Sequence, residues 1–153
     1  MTDRDERLTF VILWAFVLFN YIYGDIGMAF SVLIDPAQMA RLQEMVASMG
    51  PTDLFFLGGA VLMEISILTL LLSWLARHSV ARWANILAGI LFTIVMLVII
   101  FARGVPPLNY YTLYGVIEIA ATAYIAWRAW NWSSPECAGS RSQMSHDPVT
   151  KPR

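Results

Sequence analysis

Three carboxyl groups stand where hydrocarbon is expected, and they are the residues of this sequence best suited to chemistry. Glu64 lies at the centre of the apolar run Leu54 to Ala76, Glu118 near the middle of a run from about Leu108 to Trp130, and Asp25 in the second half of Leu8 to Ile34. Tyr21 precedes Asp25 by four residues and Tyr114 precedes Glu118 by four, so on a helix each of these acids shares a face with a phenol. At about 1.5 Å per residue, Glu64 and Glu118 lie about 15 Å from one end of their runs and Asp25 about 14 Å from Ile34, which puts all three at a similar depth. A mid-membrane aspartate costs roughly 2.5–3.5 kcal/mol to insert, glutamate is taken as similar, and each Leu, Ile, Phe or Val returns about 0.3–0.6 kcal/mol. Leu54 to Ala76 holds thirteen of those residues. Insertion therefore wins, and the acid has to be explained by what it does. A carboxyl group that keeps its proton in hydrocarbon suits general acid chemistry, proton-coupled exchange, or binding of a polar or cationic group.

Glu64, Glu118 and Asp25 are thus the candidate catalytic groups, with Asn20, Tyr21, Tyr114 and Tyr111 as candidate ligand-binding residues. Tyr111 has a competing reading, because with Tyr110 it falls near the interface, where tyrosines form a belt. Each acid taken singly also reads as a packing residue bonded to a tyrosine or a backbone carbonyl. Three at one depth favour a shared pocket. Gly24 and Gly115, close to these groups, would let helices approach. The Gly58, Gly59 pair reads as packing, since no phosphate-binding motif surrounds it.

The elements that must position these groups are legible in the composition. Of 153 residues, 58% are hydrophobic and 14% charged, and a mean hydropathy of +0.61 is far above that of a soluble domain. Four runs reach the roughly 20 residues needed to cross ~30 Å of hydrocarbon, which leaves no room for a soluble catalytic domain. A net charge of −1 gives no reason to expect nucleic acid. The single cysteine, Cys137, excludes an internal disulfide or dithiol pair. With His78 in a short loop and His146 in the tail, no histidine falls in a span to hold haem or a metal.

These observations predict an all-α, polytopic membrane four-helix bundle with spans at about 8–34, 54–76, 83–102 and 108–130 and a short amphipathic interfacial helix between the first two. Residues 1–7 form an amino-terminal segment and residues 133–153 a disordered tail. Asp35 and Pro36 end the first span and start the interfacial helix, with Asp35 as cap and Gln38 completing a box-like pattern. On that helix Met39, Leu42, Met45 or Val46, and Met49 recur at helical spacing. Asp53 caps the second span, and Arg77 to Arg82 is a tight basic turn. Asn85, Gly89 and Thr93 form a polar-tolerant stripe facing other helices. Arg103, Gly104, Pro106 and Pro107 make the next turn, and Trp127, Trp130 and Trp132 form an interfacial belt. Arg4, Arg7, Arg77, Arg82, Arg128, Arg141, Lys151 and Arg153 share one side against Arg41 and Arg103 on the other, which places both termini in the cytoplasm.

The pattern resembles the DoxX-like superfamily of small four-helix bacterial membrane proteins. The matching stretches are Leu13-Trp14 through Asn20-Tyr21 to Tyr23-Gly24-Asp25, then Gly59 to Glu64, Arg82 to Gly89, and Tyr114 to Glu118. The likeness covers roughly residues 8 to 130. It implies the bacterial inner membrane and association with membrane redox enzymes or quinone, since some DoxX-like proteins are subunits of quinone-linked oxidoreductases. In that reading Glu64 and Glu118 exchange protons with the ring oxygens, Tyr114 and Tyr21 orient them, and Asp25 tunes the acids. With no cysteine or histidine in the spans, the electrons would belong to a diffusible quinone or to a partner's cofactor. The expected function is binding of a small lipophilic or weakly polar molecule by a membrane-embedded acid and tyrosine pocket. The alternatives are a proton-coupled transporter of a small cation, which with four spans would need a homo-oligomer, and a structural subunit without chemistry.

Overall fold

Helix formation starts ahead of the first apolar run. The Thr2 hydroxyl accepts from the Asp5 N–H at 3.3 Å, while the Asp5 carboxylate accepts from the Thr2 N–H at 2.9 Å. This capping box satisfies two amides that a bare helix end leaves without partners. Residues 3–7, expected as part of a separate amino-terminal segment, therefore belong to α1 (Asp3–Ile34). The computed structural model describes residues 2–48, 50–102 and 110–133, and among them there is no strand. The other helices are α2 (Pro36–Ser48), α3 (Thr52–Leu75), α4 (His78–Ala102) and α5 (Tyr110–Trp130). α1, α3 and the His78–Phe101 part of α4 are long and apolar enough to cross a membrane. α5, where the fourth span was expected, is not among these three. Its described 21 residues carry Glu118 and Arg128, and the first two residues of the expected span lie outside the described residues.

The breaks follow local chemistry. Asp35 ends α1 and caps α2, its carboxylate accepting from the Ala37 N–H at 2.9 Å. Leu42, Met45 and Val46 turn inward from α2, whereas Met39 is 37% exposed. Asp53 is not the cap of α3: Pro51 holds that position, and Asp53 sits in the first turn, where its charge complements the helix dipole. The basic turn after α3 shrinks to Ala76 and Arg77, because α4 begins at His78. The Arg103 to Pro107 turn, Met49, Cys137, His146 and the tail beyond Ser133 lie outside the described residues.

α1 packs on α3 and α5, and α4 packs on α3 and, most extensively, on α5, so the four long helices close a ring; α2 rests on α1 and α3. One half of the ring is solidly filled. Phe10, Trp14, Val17, Ala81, Ile86, Ala88, Phe92, Ile125, Ala129 and Trp132 form its core. Across it runs a polar thread in which Trp14 Nε1 donates to Asn85 Oδ1 at 2.7 Å and Asn85 Nδ2 donates to Ser73 Oγ at 2.8 Å. Ser73 in turn donates to the Thr69 carbonyl at 2.7 Å. Three helices are tied together and both N–H groups of the Asn85 amide are used, as the second bonds the Ala81 carbonyl. The stripe expected on α4 does face other helices. Thr93 bonds Thr122 of α5 at 2.8 Å, and a Cβ at Gly89 would lie 2.8 Å from the Thr122 carbonyl oxygen.

Basic side chains close this filled end. Arg7 donates to the Ser73 and Ala76 carbonyls at the end of α3, and Arg82 to the Ala129 and Trp130 carbonyls at the end of α5. Both answer carbonyls that have no partner within their own helix. Arg128 pairs with Glu6 at 2.9 Å. Trp127 and Trp130 are exposed as a belt requires, but Trp132 is only 5% exposed. Its ring packs against Phe10 and His78 at centroid distances of 5.1 and 4.4 Å and lies beneath the Arg7 guanidinium, so it plugs the core rather than joining the belt.

Candidate functional site

The other half of the ring is open. A cavity of about 650 Å³ lies between α1, α3, α4 and α5 at the end away from the described termini. Its walls are built from helix faces. α1 contributes Asn20, Tyr21, Gly24 and Asp25, which recur at three- and four-residue spacing apart from the adjacent pairs; α5 contributes Tyr111, Tyr114 and Glu118 at the same spacing. α4 adds Phe92, Val95, Met96 and Ile99, and α3 adds Phe56, Gly58, Gly59, Ala60, Leu62 and Met63 from its first turns. Phe92 forms the boundary with the filled half, its ring 5.7 Å from Trp14 and 5.9 Å from Tyr21.

Glu118 is the focus of this arrangement. It is 2% exposed because Gly115, Glu118, Thr122, Ile125 and Ala129 form the buried face of α5. The Tyr21 phenol and the Asp25 carboxyl group line the same cavity wall and lie close enough to act on Glu118 electrostatically. Tyr111 acts in the same way on Tyr21. Asn20 Nδ2 reaches the Tyr114 carbonyl at 3.4 Å, which ties α1 to α5 beside the acid. Glu118 Oε1 is buried and has no hydrogen-bond partner among the described residues. Such an atom costs roughly 1–3 kcal/mol unless something enters to bond it.

Of the seven residues expected to form a site, six line this one cavity: Asp25, Glu118, Asn20, Tyr21, Tyr111 and Tyr114. Glu64 does not join them. It is exposed on the outer face of α3, while its neighbour Met63 lines the cavity. The cause is helix rotation. Ser66, Thr69 and Ser73 are buried and turn their side chains into the ring, and at about 100° per residue Glu64 falls some 200° from Ser66. Tyr110 stays outside the cavity too, its ring against Gly27 and its hydroxyl donating to Ser31 Oγ at 3.2 Å.

The glycines divide in a way their sequence positions did not indicate. Gly115 meets the Ile100 side chain and permits the close approach expected of it, but Gly24 has nothing within 4 Å of where a Cβ would stand. Gly58 and Gly59 are equally open, so this pair forms cavity wall rather than packing. The α4 wall also went unread in sequence, although Phe92, Val95, Met96 and Ile99 carry the helical spacing that could have revealed it. Among the described residues no group of three His, Cys, Asp or Glu side chains is arranged to hold a metal ion. What the cavity offers is an unpartnered carboxyl oxygen, phenols and an amide set in an otherwise aliphatic and aromatic wall.

A family model described as a family of unknown function, DUF6326, matches residues 2–139 and so covers every described helix. No curated protein and no solved structure matches the chain.

Proposed function

We propose, for a chain that belongs to the DUF6326 family, that the cavity is a membrane-embedded binding site for a small lipophilic molecule bearing a polar group. The observation that carries this reading is Glu118 Oε1, buried and without a described partner in the wall of a cavity of about 650 Å³. The apolar wall suits the body of such a molecule, and Glu118 with Tyr21 suits its polar end. A quinone fits the donor set, since its ring carbonyls accept from phenol and carboxylic acid groups and its ring matches an aromatic wall. Bound there, it would supply two-electron redox chemistry. The chain's own part would be to hold the ring, orient it through Tyr21 and Tyr114, exclude water, and carry a proton at Glu118 Oε1. The DoxX-like resemblance favours this candidate, and a redox partner in the membrane would go with it.

The test is the small-molecule content of gently purified protein, read by native mass spectrometry with lipid extraction. Wild type is expected to retain a specific molecule, and Glu118→Gln, which keeps a donor and an acceptor, to retain part of it. Glu118→Leu is expected to lose roughly 1–3 kcal/mol of binding, a drop in affinity of about 5- to 150-fold. A short-chain ubiquinone analogue titrated against tryptophan fluorescence separates quinones from other ligands. Equal occupancy in wild type and Glu118→Leu would overturn the reading.

The setting we propose is a four-helix bundle of α1, α3, α4 and α5 crossing the bacterial inner membrane, with both termini cytoplasmic and α2 on the outer surface. The arginines gathered at the filled end, Arg7, Arg82 and Arg128, support this orientation, against Arg41 on α2. Single cysteines in a Cys137→Ser background read it directly. Gln43→Cys on α2 is expected to react with a membrane-impermeant maleimide in intact spheroplasts, and Ser133→Cys only in inverted vesicles; the reverse pattern would invert the topology.

A further inference from the structure

The acid that the cavity leaves out raises its own question. Glu64 is the thirteenth of the 24 residues of α3, so at about 1.5 Å per residue it sits midway between the helix ends. It is exposed, and it makes no hydrogen bond or ion pair among the described residues. Its side chain extends a few ångströms, while either interface of a ~30 Å hydrocarbon layer is about 15 Å away, so it cannot reach headgroups. Acyl chains at that depth offer no donor or acceptor.

The surface around it is patterned. Leu57, Val61, Leu68, Leu71 and Leu75 are 59%, 50%, 53%, 46% and 75% exposed. With Glu64 they run 57, 61, 64, 68, 71, 75, an alternation of four and three residues that keeps one seam facing a partner helix. The seam extends over about 27 Å, with the acid close to its middle. A carboxylic acid carries one donor and one acceptor side by side, so the group that satisfies it completely is another carboxylic acid in the opposite sense. A two-fold axis supplies that group, because it brings each residue on the axis against its own copy.

We propose that α3 pairs with α3 of a second copy of this chain along this seam, the two Glu64 carboxyl groups hydrogen-bonded to each other at the two-fold axis. The pair answers a polar group that lipid cannot, and the leucines on either side pack against their counterparts. The cavity lies on the opposite side of α3, so the dimer does not depend on the ligand reading, and either can fail without the other.

The experiment uses the full chain, labelled with donor or acceptor dyes and reconstituted in phosphatidylcholine and phosphatidylglycerol vesicles over a range of protein-to-lipid ratios. Wild type is expected to dimerise. Glu64→Gln, whose amide is also self-complementary, is expected to stay within a few-fold of it. Glu64→Leu is expected to weaken the dimer roughly three- to thirtyfold, the range spanned by interhelical polar bonds in membranes. Leu68→Cys in a Cys137→Ser background is expected to form a disulfide-linked dimer on mild oxidation, while Ile12→Cys, on the exposed face of α1, is not. A monomeric wild type, a Glu64→Leu dimer as strong as wild type, a Glu64→Gln dimer as weak as Glu64→Leu, or equal cross-linking through Ile12→Cys would each overturn the proposal. Retained helicity and thermal stability of Glu64→Leu guard against a folding artefact.

Discussion

Gly89→Leu is expected to prevent α4 and α5 from packing, at a cost above about 3 kcal/mol, enough to lower thermal stability sharply or to abolish accumulation of folded protein. The position allows almost nothing. A Cβ at Gly89 would stand 2.8 Å from the Thr122 carbonyl oxygen and 3.0 Å from both the Ala126 Cβ and the Ala126 amide nitrogen. Two of those three atoms are backbone, so no rotamer change relieves the overlap and the helices must separate. Separation also breaks the Thr93 to Thr122 bond at 2.8 Å on the next turn. Alanine at the same site gains about 1 kcal/mol of helix propensity and loses more than that in contact, for a net loss of roughly 1–3 kcal/mol. Gly115 provides the contrast, because its close neighbour is the Cδ1 tip of Ile100, which can rotate away. Thermal unfolding in detergent, compared across Gly89→Ala, Gly89→Leu and Gly115→Ala, checks this. A Gly89→Leu protein that melts with wild type would show that α4 and α5 do not meet there.

The Gly89 contact belongs to the part of the molecule that its sequence described well. Asn85, Gly89 and Thr93 are the polar and small residues of an otherwise aliphatic helix, and in hydrocarbon such residues face protein because lipid cannot satisfy them. The same logic placed Tyr21, Asp25, Tyr114 and Glu118 on facing surfaces, where they line one cavity. It does not reach Glu64, because depth along a helix leaves rotation open. Depth comes from counting residues along one helix, but rotation depends on which face the neighbours take. On α3 the cue was present in Ser66, Thr69 and Ser73, which share a face and bond back to carbonyls four residues earlier while packing inward. With that small polar stripe facing inward, Glu64 falls on the outside.

Two further features lay beyond sequence reading for a different reason. Trp132 looks like a belt residue by type and by its neighbours, and only the turn after α5 swings it under Arg7 and against Phe10. The glycines carry no side chain whose type could signal direction. Whether one of them marks a close approach, as at Gly89, or an empty space, as at Gly24, is decided by the partner helix alone.

That emptiness makes Gly24→Leu the sharpest probe of the cavity. Gly24 is buried and lines the cavity, yet nothing lies within 4 Å of where its Cβ would be, so the added side chain enters free space. The substitution removes a mid-helix glycine from α1 and so stabilises the helix by about 1 kcal/mol. Filling apolar space adds to this. The protein is therefore expected to melt at or above the wild-type temperature while its ligand occupancy falls at least tenfold, because leucine takes the volume beside Asn20 and Tyr21 that a bound molecule needs. This separates space from hydrogen bonding: Glu118→Leu removes the polar anchor and leaves the volume, whereas Gly24→Leu keeps the anchor and removes the volume. Loss of ligand in both, with folding intact, fits a molecule seated between α1 and α5 with its polar end at Glu118. Full occupancy in a stably folded Gly24→Leu would place any bound molecule elsewhere. Glu118 Oε1 would then be answered by something other than a ligand in this cavity.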